Sequence, residues 1–324
     1  MCTAVAYKTR GFYFGRTLDY EFSYGEEIVF TPRRFPFPLR HMGAMNVHHA
    51  MLGMAHTAEG YPLYYEAMNE KGLCAAGLNF TGSAVYRPPA AGKDNVAVFE
   101  LIPWLLGQCG TAEDARALLR RMNLTCDAFS PALPPAGLHW LIADKERCLT
   151  VEQTADGLHV YDNPAGVLTN EPSFPMQLFN LNNYLHVSPQ PPENRFSKRL
   201  PLSPYSRGMG GLGLPGDLSS QSRFVRAAFV LLNARSGEGE MESVSQFFHI
   251  LDAVAQPRGC CVLEDGRCEM TLYASCCSAE QGVYYYVTYE NRRILAVDMK
   301  REDPDGAVLI RHPLIRTPQI LFQN

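Results

Sequence analysis

The chain has 324 residues, a formal net charge of −4 at pH 7, and 46% hydrophobic against 19% charged residues. This composition is typical of a packed globular protein and excludes a largely disordered chain. Because the net charge is slightly negative, the sequence offers no basic field for nucleic acid or for an anionic membrane surface. No apolar run of about 18 residues is present, so no membrane-spanning helix is predicted.

The first residues predict a cytoplasmic protein, because they reach Lys8 and Arg10 without an apolar segment of the kind that begins a secretion signal. In that compartment the ten cysteines are expected to be reduced. The cluster between Cys260 and Cys277 lacks C-x-x-C spacing, and the neighbours Cys260 and Cys261 would point to opposite faces of a strand. We therefore predict no metal and no other cofactor.

The N-terminal 20 residues predict a β-hairpin. Residues 2–8 and 11–18 have strand-like composition, and a turn is expected near residues 9–11. Pairing about that turn places residue i opposite about 20 − i, so Cys2 lies opposite Leu18. Arg16 and Asp19 are then expected within a residue or two of Cys2, although the register could slip by that amount.

The rest of the chain alternates short strands with fewer helices. Strands are predicted at residues 27–31, 61–67, 73–78, 139–143, 148–152, 158–161, 270–275, 283–289 and 294–298. Helices are predicted at residues 95–108, 111–122, 220–234 and 243–254, and a long loop at 188–218. Since strands and helices do not follow a regular βαβ order, we expect a single α+β domain, residues 1–324, with antiparallel sheets.

Cys2 is the strongest candidate for chemistry. Residue 2 is small, so Met1 could be removed in the cell, leaving a thiol and a free α-amino group on one residue. A thiol with a pKa of ~8.5 beside an amine with a pKa of ~8 is a nucleophile that carries its own general base. On the dipeptide alone, a chance cysteine at a frayed terminus is the ordinary explanation.

Three polar segments interrupt apolar surroundings and could complete a site. Asn79 ends a predicted strand between glycines, Asn170 precedes Pro172 by two residues, and Arg223 lies near the start of a predicted helix. Side-chain amides can hold an oxyanion, and a guanidinium near sulfur stabilises a thiolate. Each asparagine could equally be a turn residue, and the arginine a solvated or salt-bridged side chain.

Taken together, these motifs resemble the choloylglycine hydrolase family. The resemblance runs nearly end to end, and the bile salt hydrolase branch is the most similar. It rests on Met1-Cys2-Thr3, on residues 14–19 (FGRTLD), 77–80 (GLNF), 168–172 (LTNEP), 214–220 (LPGDLSS) and 222–224 (SRF), and on Tyr284-Tyr285-Tyr286.

The resemblance implies an N-terminal nucleophile hydrolase fold, a four-layer αββα sandwich in which methionine removal exposes the nucleophile. It assigns Cys2 as nucleophile, Arg16 as the group that stabilises the thiolate, and Asp19 as the residue that orients the α-amino group. It further assigns Asn79 and Asn170 to the oxyanion hole and Arg223 to the positive charge of the site. Relatives also suggest a homotetramer.

The implied reaction is hydrolysis of the amide that joins a bile acid to glycine or taurine, with possible acyl transfer to amines. A steroid requires a mostly apolar pocket, for which Leu18, Tyr20, Phe129 and Leu133 are candidates. Penicillin V acylase, with the same family and fold, is the alternative enzyme. A non-catalytic binding protein is a third possibility, although it has no reason to retain all six candidate residues. A cysteine-based redox protein is disfavoured by the absence of C-x-x-C.

Overall fold

The computed structural model describes all residues, 1–324. The strands, in chain order, are β1 (Cys2–Lys8), β2 (Phe12–Tyr20), β3 (Glu27–Thr31), β4 (Phe37–Leu39), β5 (Gly43–Met45), β6 (Met51–Ala58), β7 (Tyr61–Asn69), β8 (Cys74–Asn79), β9 (Asp94–Ala97), β10 (Met122–Thr125), β11 (Leu138–Ala143), β12 (Cys148–Thr154), β13 (Gly157–Asp162), β14 (Val167–Leu168), β15 (Met270–Ser278), β16 (Val283–Thr288), β17 (Leu295–Asp298) and β18 (Ile310–Pro313). The helices are α1 (Leu101–Gln108), α2 (Ala112–Leu119), α3 (Phe174–Asn180), α4 (Ser220–Asn233) and α5 (Glu240–Asp252). No helix has both the length and the hydrophobicity needed to span a membrane.

Two antiparallel sheets pack face to face at the centre of the fold. One has the strand order β14-β1-β2-β15-β16-β17, and the other β13-β12-β11-β8-β7-β6-β3-β18. Helices α4 and α5 contact the six-stranded sheet, α1 contacts the eight-stranded sheet, and β1 and β2 contact β8 between the sheets. The layers therefore follow the order helix, sheet, sheet, helix, which confirms the predicted αββα sandwich of antiparallel sheets.

Side-chain alternation in the eight-stranded sheet divides the apolar interior into two cores. Met68 and Ala76 face the six-stranded sheet, in a core that also includes Phe14 and the α4 residue Phe224. Their strand neighbours Ala67 and Ala75 face the opposite way and pack with α1 and α2. Because both faces of this sheet are covered, its central strands are nearly continuous apolar runs.

The β1–β2 hairpin lies at the centre of the six-stranded sheet. Cys2 pairs with Leu18 and Ala4 with Arg16, which is the predicted register. On its other side β2 pairs with β15 in antiparallel orientation. The close approach of these two strands depends on Gly15, where a Cβ would lie 2.0 Å from the main-chain oxygen of Ser275. Only glycine fits there, so the strand that carries Arg16 is held tightly against β15.

Every strand predicted from the sequence is present to within a few residues, and three helices agree similarly well. The predicted helix from residue 95 is wrong over its first turn, because residues 94–97 form β9 and pair in parallel with β10. Cys260 and Cys261 lie in an irregular loop rather than in a strand. Strands β4, β5, β6, β10 and β18 and helix α3 were not predicted.

Candidate active site

Cys2 begins the first strand and is buried, with 5% of its surface exposed. On the side away from β2, strand β1 pairs with β14 through Ala4 and Leu168. Asn170, two residues after the end of β14, lies beside Cys2, and the Cys2 N–H donates to Asn170 Oδ1 at 2.9 Å. One short strand pairing therefore brings residues 168 positions apart into direct contact.

Arg16 is fully buried between the two sheets. Its guanidinium donates to the carbonyl of Gly77 on β8 and to that of Thr17 at 3.2 Å. Its Nε lies 3.8 Å from Glu66 Oε2. Burial disfavours the charged guanidinium, but the negative charge of a Cys2 thiolate and of Glu66 outweighs burial and raises the pKa of Arg16. Arg16 is thus a fixed cation that both the sulfur and a carboxylate can stabilise.

Glu66 was not singled out by the sequence, although it is the buried counter-charge of Arg16. Its carboxylate accepts hydrogen bonds from Tyr273 Oη at 2.9 Å and from Tyr284 Oη at 2.5 Å. Burial raises the pKa of Glu66, and Arg16 and the two tyrosines oppose that rise. A lone glutamate in strand β7 gives no sequence signal of this role, because its partners come from other strands.

Asp19 is buried at the end of the hairpin among hydroxyl and amide donors. Its carboxylate accepts from Thr271 Oγ1 at 2.6 Å, from Thr17 Oγ1 at 3.1 Å and from Gln256 Nε2 at 3.3 Å. The main chain of Asp19 pairs with Met1, whose N donates to the Asp19 carbonyl at 2.6 Å. Asp19 therefore lies beside the peptide unit whose hydrolysis would release the Cys2 amine.

Arg223 links the predicted residues of the site to one another. Its Nη1 donates to the Cys2 carbonyl at 2.6 Å and to Thr3 Oγ1 at 2.7 Å, and its Nη2 donates to Asn170 Oδ1 at 2.8 Å. Burial lowers the pKa of Arg223, while Asp19, 4.0 Å away, and Cys2 favour the charged form. Arg223 thus holds both the start of β1 and the Asn170 side chain in place.

Asn79 and Asn170 meet at the ends of their strands. Asn170 Nδ2 donates to the Asn79 carbonyl at 2.8 Å, and the side chain of Asn79 is exposed. Ser220, the first residue of α4, accepts from the Asn170 N–H at 2.8 Å and donates to Thr169 at 2.9 Å. The structure therefore brings together Cys2, Arg16, Asp19, Asn79, Asn170 and Arg223, all six predicted site residues.

The predicted pocket residues are more dispersed. Leu18 is buried directly opposite Cys2, and Tyr20 ends the same strand. Phe129 packs against Tyr61 and Phe99 on the core that contains α1, and Leu133 is half-buried in its loop.

An aromatic cluster after β2 was not predicted. Phe22, 39% exposed, lies between Tyr20 and Tyr24, with ring centroids 5.0 and 4.7 Å away. The three rings therefore form a partly exposed apolar surface at the end of β2.

The arrangement is suited to attack on a carbonyl by sulfur. Negative charge on Cys2 favours the charged forms of both Arg16 and Arg223, and the Cys2 N–H donates to the Asn170 amide oxygen. All ten cysteines are free of disulfides, so the Cys2 sulfur is free to act as a nucleophile. No group of three or more His, Cys, Asp or Glu side chains is placed to bind a metal ion.

Known proteins match this chain over nearly its whole length. The family described as "Linear amide C-N hydrolases, choloylglycine hydrolase family" matches residues 2–311. A bile salt hydrolase/transferase of Lactiplantibacillus plantarum is 52% identical over 324 residues, with 100% of both chains covered. A bile salt hydrolase/transferase of Bifidobacterium longum is 36% identical, covering 96% of this chain and 99% of the relative.

Solved structures agree with the sequence comparison. The crystal structure of a mutant conjugated bile acid hydrolase from Clostridium perfringens superposes with a TM-score of 0.92 at 35% identity, over 100% of both chains. A penicillin V acylase from Agrobacterium tumefaciens, 17% identical, shares the fold with a TM-score of 0.76 over 96% of this chain and 90% of its own. The chain therefore belongs to the choloylglycine hydrolase family, and it is an enzyme of the linear amide C–N hydrolase class.

Proposed function

We propose that this protein hydrolyses the amide bond of glycine- or taurine-conjugated bile acids, with Cys2 as the nucleophile after removal of Met1. One observation carries the proposal. Arg16, Asn170 and Arg223 converge on Cys2 in a chain that matches, over its whole length, a relative named bile salt hydrolase/transferase. Residues 1–324 act together as one N-terminal nucleophile domain in this proposal.

The proposed reaction has two chemical steps. The Cys2 thiolate attacks the amide carbonyl, a C–S bond forms, and the oxyanion is held by the amide groups of Asn79 and Asn170. The α-amine of Cys2, oriented by Asp19, delivers a proton to the leaving nitrogen as the C–N bond breaks. The same amine then takes a proton from water, which attacks the thioester. The C–S bond breaks, and the bile acid and the thiolate are released.

Arg16 and Arg223 have separate tasks in this scheme. Arg16 stabilises the thiolate in this scheme, since the charge of Cys2 is the largest influence that favours the Arg16 cation. Arg223 holds the Cys2 carbonyl and Asn170 Oδ1, so that it positions the nucleophile relative to the oxyanion hole.

The steroid would lie on apolar side chains at the mouth of the site. Leu18 and Tyr20 are the nearest to Cys2 along the hairpin, and Phe22 and Tyr24 extend that surface outward. Phe129 and Leu133, in the loop between β10 and β11, are proposed to contact the substrate from the side of the eight-stranded sheet. Such an apolar surface suits a steroid, which is rigid and carries few polar groups.

Acyl transfer to amines follows from the same intermediate, because a thioester can be attacked by an amine as well as by water.

We also propose that the protein acts in the cytoplasm as a homotetramer. The segment from Met176 to Leu212 supports assembly, since it exposes large apolar side chains: Met176, Phe179, Leu185, Phe196, Tyr205 and Leu212. Native mass spectrometry should give four times the mass of one chain.

Parallel assays with glycocholate, taurocholate and penicillin V test the substrate. We expect release of glycine or taurine and little cleavage of penicillin V, whereas cleavage of penicillin V alone would make the protein a penicillin V acylase.

The intact mass of the active enzyme should correspond to a chain without Met1. Full activity with Met1 retained would exclude the α-amine from the mechanism. A Cys2→Ala variant with an unchanged biological effect would indicate a binding protein.

A further inference from the structure

His139 on β11 is buried behind the two asparagines, with no exposed surface. Its Nε2 lies 2.9 Å from the carbonyl of Thr169, the residue before Asn170. Its ring stacks on Phe80, the residue after Asn79, with centroids 4.3 Å apart and planes 7° from parallel. One side chain therefore touches the chain next to both members of the proposed oxyanion hole.

The hydrogen bonds of His139 define its orientation. The Thr169 carbonyl can only accept, so Nε2 carries the hydrogen of that bond. Nδ1 lies 3.1 Å from Glu152 Oε1, within hydrogen-bonding distance. Glu152 Oε1 also accepts from the Phe174 N–H at 2.9 Å, so it is fixed from a second direction. The ring can therefore neither flip nor turn without losing a buried hydrogen bond.

The two asparagine segments also contact each other directly, since Ser83 Oγ donates to Glu171 Oε2 at 2.8 Å. Asn170 Nδ2 bonds the Asn79 carbonyl, and this contact fixes the distance between the strand ends but not the direction of the Asn79 side chain, which is exposed. His139 contacts each segment one residue from its asparagine, at the Thr169 carbonyl in one and at the Phe80 ring in the other. A displacement of about 1 Å in such groups can lower a rate about 100-fold.

The geometry points to His139, held by Glu152, as a positioning residue of the oxyanion hole. This inference rests on the proposed function, in which Asn79 and Asn170 hold the oxyanion. His139 touches neither the substrate nor Cys2. Its effect should appear in the step that creates the oxyanion and not in the formation of the thiolate, which depends on Arg16.

The test is a His139→Phe variant, which keeps an aromatic ring on Phe80 and removes the hydrogen bonds to Thr169 and Glu152. We expect kcat for glycocholate to fall about 10- to 100-fold while KM changes less than about twofold. The rate of Cys2 alkylation by iodoacetamide should stay within about twofold of wild type, because alkylation forms no oxyanion. His139→Gln retains an N–H that can reach the Thr169 carbonyl, so it should restore part of kcat.

His48→Phe is the matched control. His48 is 5% exposed, its ring nitrogens also face main-chain carbonyls, those of His49 and Phe35, and it packs on Phe37. A comparable fall in kcat in this variant, or a parallel fall in kcat and alkylation in His139→Phe, would show a general effect of losing a buried histidine and overturn the inference.

The remaining outcomes are equally decisive. If His139→Phe does not fold, kcat is measured for His139→Gln instead. An unchanged kcat in the variant that folds overturns this inference alone, provided that the unmodified enzyme cleaves glycocholate. A folded wild-type enzyme that cleaves no conjugated bile acid overturns the proposed function and this inference with it.

Discussion

The two halves of the site are built in different ways. The thiolate half consists of Cys2, Arg16 and Glu66, which lie on regular strands between the sheets. The oxyanion half consists of Asn79 and Asn170, each at the point where its chain leaves a strand. Strand register therefore fixes the thiolate half, whereas the oxyanion half depends on contacts between loops.

This difference assigns a separate function to each half. A cation buried by sheet packing cannot move away from the sulfur, which suits a permanent charge. Amide donors at strand ends stabilise an oxyanion only if neighbouring contacts hold them where the charge of the tetrahedral intermediate develops. Substitutions in the thiolate half should alter the reactivity of the thiol, and those in the oxyanion half should alter only reactions that form an oxyanion.

Cys2→Ser should have the largest effect, because it removes the group on which both halves act. A serine hydroxyl at a site tuned for a thiolate is a far poorer nucleophile, so we expect kcat to fall on the order of 10³-fold or more. Hydrolysis of glycocholate measures the loss, and an unchanged melting temperature would show that the fold is intact. Wild-type turnover in this variant would contradict the assignment of Cys2.

Asn79→Ala separates the two halves more sharply. The Asn79 side chain is exposed, so its removal should leave the fold unchanged and lower kcat by about 10²- to 10³-fold. Alkylation of Cys2 by iodoacetamide should keep its wild-type rate. Asn233→Ala, also exposed and at the end of α4, is the control. Equal loss of alkylation and hydrolysis would mean that the halves are not independent.

The thiolate half could be predicted from the sequence because it is mostly local. A tight turn fixes the register of β1 and β2, and the register places Arg16 near Cys2. Glu66 could not be found in this way, since its partners Tyr273 and Tyr284 belong to strands about 200 residues later in the chain. Asn79 and Asn170 could be singled out as site candidates but also as turn residues, and only the family resemblance assigned them to the oxyanion hole.

Glu66→Gln tests the electrostatics of the thiolate half. Burial raises the pKa of Glu66 above its ordinary value of 4.5. The stability that this group contributes is therefore fully present below about pH 4.5 and is lost as the pH rises through the raised native pKa. The free energy of unfolding of wild type minus that of the variant should thus fall with rising pH above 4.5, as measured by urea unfolding.

Two further results would decide the Glu66 prediction. Because Glu66 touches Arg16 and not the substrate, kcat of the variant should fall less than about tenfold, a smaller loss than for Asn79→Ala. Glu238→Gln, on the surface, is the control substitution. A stability difference that rises with pH would mean that the native fold favours the Glu66 carboxylate over its neutral form.

Errors in the predicted fold have a similar physical origin. The apolar spacing that predicted a helix from residue 95 rests on residues from Val98 onward, whereas residues 94–97 pair with β10, 28 residues later, and form a strand. Strand β6 has few β-branched residues and gives no local signal; its pairing with β3 and β7 determines it. In contrast, the start of α2 was predicted correctly, because its capping box is local.

Thr111→Ala measures such a local signal far from both halves of the site, and it should have the smallest effect. Thr111 Oγ1 accepts from the Asp114 N–H at 3.1 Å, and the Asp114 carboxylate accepts from the Thr111 N–H at 3.0 Å. Loss of this cap should lower the free energy of unfolding by about 1 kcal/mol and leave kcat unchanged. Ser173→Ala, at the start of α3, removes no capping bond and should cost less. A fall in kcat in Thr111→Ala would show that α2 influences the site through the eight-stranded sheet.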